Sequence, residues 1–343
     1  MKILLIADCH LCAPLGTHLP KNLAAVRDGE MFETFRRSIA DGIGRGCRAV
    51  IVAGDLFDGP AVPMRVKNAV CALFETYPDV PFLYVSGNHE KEALTGTLPK
   101  NLRVFGTGWG YFDYESVRFL GRSDTAALTY SDMPVSDEKI NIAVLHGSWD
   151  SEINLRNAAG HGVALFALGH YHSFAVRTLA DGAQAVYPGT PEGHGFDETG
   201  EKGYVIFDTE RRKAEFVPMA KRRYFDIPVD ISDVNEEHEI PELVGEALSC
   251  VKSGDLCRIR LTGKVREGLS RDPERLRARF SDRYFLFLTE DETVLAPRAA
   301  DYRFDKSLRG EFLRAVLGAE DLTEKEKHEV ADLGLTLLSE GVR

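Results

Sequence analysis

Short apolar runs, each stopped by a polar block, organise the first half of this chain. Ile3-Leu4-Leu5-Ile6-Ala7 ends on Asp8-Cys9-His10, and Ala49-Val50-Ile51-Val52-Ala53 ends on Gly54-Asp55-Leu56-Phe57-Asp58. Phe82-Leu83-Tyr84-Val85 leads to Gly87-Asn88-His89-Glu90, Ile142-Ala143-Val144-Leu145 to His146-Gly147, and Leu165-Phe166-Ala167-Leu168 to Gly169-His170-Tyr171-His172. Runs of this length without polar alternation predict strands buried on both faces. Helical periodicity over 30–43 and 64–76 separates the first three. Asp28-Gly29-Glu30 reads as a helix start, and Pro63 suits a first helical turn. Further short strands near 116–121, 140–145, 163–168, 174–178, 184–187, 203–208 and 214–217 fit a second sheet layered on the first. The class is therefore α/β.

After residue 220 the pattern changes. Residues 224–229 read as a strand, 239–251 as a helix, 256–261 as a strand, 273–280 as a helix and 284–288 as a strand, which predicts a smaller α+β domain over 221–298. In 299–343, Leu308, Phe312, Leu313, Val316 and Leu317, then Val330, Leu333, Leu335 and Leu338, fall at helical spacing. They predict two amphipathic helices, which either pack on this chain's own core or offer a surface to a partner.

The five polar blocks carry the chemistry. In open α/β sheets ligands bind at the carboxyl ends of strands, so blocks far apart in sequence can converge there. Hard carboxylate oxygens with imidazole nitrogens suit a pair of divalent cations, which a shared carboxylate bridges at roughly 3.5–4 Å. Asp55 is the natural bridge. Asp8 and His10 can face one ion if a turn follows the strand, and His170 and His172 have the same spacing. Asn88 offers a neutral oxygen and His146 another nitrogen. His89, beside Asn88, is left to donate a proton to a departing alkoxide or to stand as a cation over a phosphate. Asp58 is placed to orient a ligand histidine.

Composition bounds the picture without changing it. The 343 residues are 44% hydrophobic and 28% charged, with room for one large core and a smaller domain. The chain starts on a core strand and carries no apolar run long enough to span a bilayer, so a cytoplasmic protein without a signal peptide is expected. Six cysteines show no disulfide framework, and Cys9 of Cys9-His10-Leu11-Cys12 reads as a packed residue rather than half of a redox pair. A net charge of −11 argues against a generic polyanion binder. Basic residues are nevertheless concentrated. Residues 211–223 hold six Lys or Arg against Glu215, and 258–283 hold nine against Glu267, Asp272, Glu274 and Asp282. These runs are either solvated faces or a surface for a polyanion.

The order Asp-x-His, Gly-Asp-x-x-Asp, Gly-Asn-His-Glu, His, Gly-His-x-His resembles the calcineurin-like metallophosphoesterases. That resemblance implies a four-layer αββα sandwich over residues 1–220. It implies one ion on Asp8, His10, Asp55 and His172 and a second on Asp55, Asn88, His146 and His170. The mixed nitrogen and oxygen donors point to Mn²⁺, with Fe, Mg or Zn as alternatives. Gly54-Asp55-Leu56-Phe57-Asp58 is similar to the SbcD-type DNA repair exonucleases, as is Tyr187-Pro188-Gly189-Thr190-Pro191-Glu192 followed by Gly195-Phe196-Asp197-Glu198 and Glu201-Lys202-Gly203-Tyr204. Glu90 departs from it, since those enzymes more often carry Asp there. This likeness implies an exonuclease or endonuclease acting on single-stranded DNA or DNA ends. It also implies a capping domain at 221–298 and an SbcC-type coiled-coil ATPase or a second copy of the chain as partner. A small-molecule or cyclic-nucleotide phosphodiesterase or phosphatase shares all the ligands, and a non-catalytic scaffold would have lost some.

Overall fold

The computed structural model describes residues 1–15, 19–59, 61–90, 94, 96–126, 128–266, 269–295 and 304–340. The chain divides into two compact units, Met1–Arg223 and Tyr224–Arg343. Lys221 and Arg222 belong with the first because their backbone N–H groups donate to Glu192 at 2.8 and 3.1 Å. The expected boundary at 298/299 and Glu267 of the second basic run lie outside the described residues.

Among its described residues the first unit contains twelve strands. In chain order they are β1 (Lys2–Ile6), β2 (Cys47–Ala53), β3 (Phe82–Val85), β4 (Leu102–Val104), β5 (Gly110–Tyr114), β6 (Val117–Gly121), β7 (Ile140–His146), β8 (Val163–Gly169), β9 (Ala175–Thr178), β10 (Gln184–Tyr187), β11 (Gly203–Asp208) and β12 (Lys213–Pro218). They form two six-stranded sheets, ordered β12-β11-β1-β2-β3-β4 and β5-β6-β7-β8-β10-β9. The pairs β1/β2, β2/β3 and β7/β8 are parallel, so the strands that precede the polar blocks end together within each sheet.

Ile3, Leu5, Ile51, Leu83 and Val85 of the first sheet meet Phe119, Ile142, Val144, Leu165 and Ala167 of the second in one solvent-free layer. The intervening residues of β1 face the other way. Leu4 touches Gly42 of α1 (Lys21–Gly44) so closely that a Cβ there would collide with it. Burial on both faces is why these strands read as unbroken apolar runs. α2 (Met64–Glu75) follows β2.

The two-sheet α/β sandwich expected from the sequence is what the chain forms, with two corrections. β11 and β12 lie in the first sheet, where β11 pairs antiparallel with β1 at Lys2↔Asp208, rather than in the second. Strand order is a long-range property that local alternation does not carry. α1 begins at Lys21, behind Pro20 at its N-cap, so Asp28 and Gly29 are interior. A Cβ at Gly29 would meet nothing, and an exposed glycine costs a helix only about 1 kcal/mol. Pro63 likewise caps α2 instead of sitting in its first turn. Among the described residues the outer face of the second sheet is covered by loop with a 3-10 turn, Leu155–Asn157. Tyr130, Met133, Ile153 and Leu155 pack there on Leu145, Phe166 and Leu168.

The second unit holds β13 (Tyr224–Asp230), α3 (Glu239–Ala247), β14 (Leu256–Thr262), β15 (Lys264–Val265), α4 (Pro273–Phe280), β16 (Leu286–Asp291) and β17 (Val294–Leu295), then α5 (Leu308–Leu317) and α6 (Glu324–Glu340). β13-β14-β16 is an all-parallel sheet, and β15 pairs with β17. α4 starts on Asp272, whose carboxylate accepts the Glu274 N–H. α5 and α6 join through Leu313, Val316, Ala331 and Leu335, with Phe312 against them. Leu308, Leu317, Val330 and Leu333 of the same stripe remain exposed. Among the described residues no helix is long and apolar enough to cross a membrane.

Candidate metal centre

The polar blocks begin where strand geometry ends. Asp8, His10 and Asp55 have φ of 51°, 42° and 45°, and His170 has 119°. These are backbone conformations that L-residues seldom adopt and that cost about 1–3 kcal/mol each. The kinks let two loops run side by side beyond β1 and β2. Asp8, His10 and Leu11 N–H groups donate to the carbonyls of Gly54, Asp55 and Leu56 at 3.0, 3.0 and 2.9 Å, and Asp58 N–H returns to Leu11 at 3.1 Å. Glu90, fully buried, fastens the second loop by accepting from Leu56 N–H (2.8 Å) and Phe57 N–H (2.7 Å). The Gly54 and Gly87 positions are tight, since a Cβ would strike the His146 ring at the first and the Asp55 carboxylate at the second.

Among the described residues four clusters of metal-ligating side chains result. Asp8, His10 and His172 form one, Asp8, Asp55 and His146 another, His10, Asp58 and His89 a third, and His172, His194 and Glu198 a fourth. Asp8 is wholly buried and accepts the His170 N–H at 2.9 and 3.0 Å. Burial pushes its pKa up to about 6. His146 gives its Nδ1 proton to Ala53 O of the facing sheet at 3.0 Å. Its Nε2 lies 2.9 Å from Asn88 Oδ1 and 3.2 Å from Asp55 Oδ2. Burial works against a charge on His146, but the Asp55 hydrogen bond and the Asp8 and Asp55 charges outweigh it and raise the pKa to about 9. His10 behaves oppositely. Burial and the neighbouring His194 and His172 push it down to about 4, so it is neutral at pH 7. Its Nδ1 donates to Asp58 at 3.1 Å, which leaves an Nε2 lone pair 3.2 Å from His172 Nε2.

This donor set fits divalent cations. Among the described residues no Arg or Lys pairs with Asp8 or Asp55, although both are buried. Uncompensated buried carboxylates are costly, and here imidazole nitrogens and an amide oxygen converge on them. The positive charge that the protein itself supplies as a proton on His146 is one that a cation would replace.

Of the residues singled out in the sequence, Asp8, His10, Asp55, Asn88, His146 and His172 are brought together. His170 stands one step out, its ring centroid 5.6 Å from that of His146 and outside the four clusters. His89 is half exposed, with Nδ1 3.1 Å from Asp58 and its ring 4.8 Å from His10. Asp58 therefore serves both histidines. Sequence reading gave no role to three residues that the structure places at the centre: Glu90, Glu198 and His194. Glu198 accepts from His172 Nδ1 (2.6 Å) and from His194 Nδ1 (3.0 Å). The signal for His194 and Glu198 was the polar block Gly193-His194-Gly195-Phe196-Asp197-Glu198, which ends no apolar run of the kind used to find the others, whereas Glu90 closes the block Gly87-Asn88-His89-Glu90. Cys9 is buried with its thiol directed at Ala7 O, and the six cysteines are free.

The basic runs are mostly paired. Arg258 and Arg260 share Asp226, Arg271 pairs with Asp291, Arg275 with Glu237 and Arg277 with Glu274. In the first run Lys221 and Arg222 bind Glu30 and Arg223 binds Glu201.

A two-sheet α/β sandwich that brings carboxylates and imidazoles together at its strand ends has the donors of a divalent-metal site. The chain belongs to the calcineurin-like phosphoesterase superfamily, whose domain profile matches residues 1–212. It is 27% identical over 270 residues to the DNA double-strand break repair protein Mre11 of Aeropyrum pernix, covering 68% of this chain and 64% of that protein. It is 24% identical over 311 residues to the uncharacterized metallophosphoesterase YhaO of Bacillus subtilis, covering 78% and 73%. The crystal structure of TT1561 of Thermus thermophilus superposes with a TM-score of 0.41 at 16% identity, over 64% of this chain and 98% of that one.

Proposed function

We propose that the chain is a two-metal phosphodiesterase that hydrolyses DNA, as a repair exonuclease or endonuclease. The observation that carries the chemistry is the pair of clusters around Asp8, in which the buried Asp8 and Asp55 have no Arg or Lys partner among the described residues and face imidazole nitrogens. The DNA substrate is supported by the likeness to Mre11 proteins. Asp8, His10, Asp55 and His172 would hold one ion and Asp55, Asn88, His146 and His170 the other. When bound, such a pair lowers the pKa of a water and offsets the charge of the phosphoryl group. Asp58 holds Nδ1 of His10, so Nε2 remains the donor atom, and Glu198 does the same for His172. His89, with Nδ1 on Asp58 and its ring half exposed, is placed to give a proton to the leaving oxygen.

The pairing of the arginines of 258–283 with acids favours a second reading, a small-molecule or cyclic-nucleotide phosphodiesterase. One comparison separates the two. With Mn²⁺ the protein should degrade linear single-stranded DNA much faster than 3′,5′-cyclic AMP, and EDTA should abolish both. Faster turnover of the cyclic nucleotide would overturn the nuclease reading. An SbcC-type ATPase, if it is the partner, would find exposed leucines on the terminal helix pair, and co-purification with a coiled-coil ATPase is the check.

A further inference from the structure

We propose that Lys202 is a positioning residue for the metal centre: from the start of β11 it holds the backbone of His172, and through it the ion that His172 would bind. The proposal rests on the two-metal reading above. His172 stands between β8, which ends at Gly169, and β9, which begins at Ala175, so no strand ladder fixes it. Its ring is oriented by Glu198, which accepts from Nδ1 at 2.6 Å and leaves Nε2 3.2 Å from Nε2 of His10. A bond to the ring sets the direction of the imidazole but not the place of its Cα. Lys202 supplies the second point, since its Nζ donates to His172 O at 2.7 Å.

That contact ties one sheet to the other at a candidate ligand. Lys202 immediately precedes β11 of the first sheet, whereas His172 follows β8 of the second. The Lys202 backbone is itself anchored, because its carbonyl accepts from Met219 N–H at 2.9 Å and from Ala220 N–H at 3.1 Å. Thr190 N–H also reaches His172 O, but at a long 3.4 Å. An ammonium is a costly way to make this bond. Lys202 is 3% exposed, and among the described residues it forms no ion pair. Glu198 is taken up by His172 and His194, and with Asp197 it acts on Lys202 only at longer range, against a burial that lowers the lysine's pKa. One hydrogen bond to a carbonyl does not repay taking a cation out of water, and an apolar side chain of the same length would fill the space at lower cost. Local rules of this kind are broken where a functional site demands it, and the demand here is a fixed His172.

The test uses the full-length protein, stripped with EDTA and titrated with Mn²⁺ by calorimetry, with the Tm of the stripped protein measured alongside. Lys202→Met keeps the length of the side chain and removes the donor. Its Tm in EDTA should equal or exceed the parent's. Its Mn²⁺ affinity at one of the two sites should fall about 10- to 100-fold, the range for losing an outer partner of a metal ligand. His172→Ala should lose that same ion, and adding Lys202→Met to it should leave the affinity for the remaining ion unchanged. Parent-like affinity at both sites in Lys202→Met would overturn the proposal. So would a lower Tm in EDTA, which would make Lys202 a residue of the fold alone, or a further loss of affinity in the double variant, which would show that it does not act through His172. A parent that binds no Mn²⁺ removes the two-metal reading itself, and that measurement precedes every variant.

Discussion

Glu30→Gln should destabilise the first unit in a way that disappears with acid. Glu30 lies in α1, almost fully buried, and its carboxylate binds Arg27 Nη1 at 2.9 Å, Arg222 Nη2 at 2.9 Å and Lys221 Nζ at 3.1 Å. Arg27 is solvent-free and also binds Glu192, which takes Thr34 Oγ1 at 2.7 Å. Burial alone would raise the Glu30 pKa, but Arg222, Arg27 and Lys221 outweigh it and depress it from 4.5 to about 2. At 1.36 kcal/mol per pH unit the knot therefore contributes about 3 kcal/mol, in line with the cost of removing one partner from a buried ion pair. A depressed carboxylate gives stability that is fully present above its unfolded pKa of about 4.5 and is lost as pH falls through the folded value. At pH 3 less than half should remain, about 1 kcal/mol. Both tryptophans, Trp109 and Trp149, lie in the first unit. Urea unfolding followed by tryptophan fluorescence in EDTA thus reads that unit. The gap between parent and variant should narrow by about 2 kcal/mol from pH 7 to pH 3. A gap that stays constant would refute the argument, and the loss would then come from packing.

Three further outcomes follow from the same geometry. Asp55→Ala should remove both ions, whereas Asn88→Ala should mainly weaken one, as metal analysis after gel filtration would show; two ions retained in the first variant would sink the bridging role. His89→Ala should keep near-parent metal content yet lose about 10²–10⁴ in rate on DNA, and less on a nitrophenyl diester whose leaving group needs no proton. Equal losses on the two substrates would leave His89 with electrostatics only. A chain ending at Arg223 keeps every candidate ligand and the bonds of Lys221 and Arg222 to Glu30 and Glu192, so it should fold and cleave the nitrophenyl diester while cutting DNA poorly; undiminished DNA cleavage would show that the second unit takes no part in substrate choice.

The sequence by itself determined the inner strands and the ligand types, because a strand buried on both faces must be apolar throughout. Ile3 to Ala7 or Ala49 to Ala53 therefore ends visibly where the polar chemistry starts. It could not place β11 beside β1, since that pairing joins residues about 200 positions apart and leaves no local trace in Gly203–Asp208. The supporting residues were hidden for a related reason. Asp8 and Asp55 announce themselves as carboxylates at strand ends, but Glu90 and Glu198 act through hydrogen bonds to those blocks and His194 through Glu198, and nothing in their own neighbourhood says which backbone or imidazole they will meet. Charge was the least legible property. The arginines of 258–283 look like a free basic run along the chain, yet Asp226, Glu237 and Asp291 reach them from other elements, because opposite charges separated in sequence are paired only when the sheet β13-β14-β16 and its helices assemble.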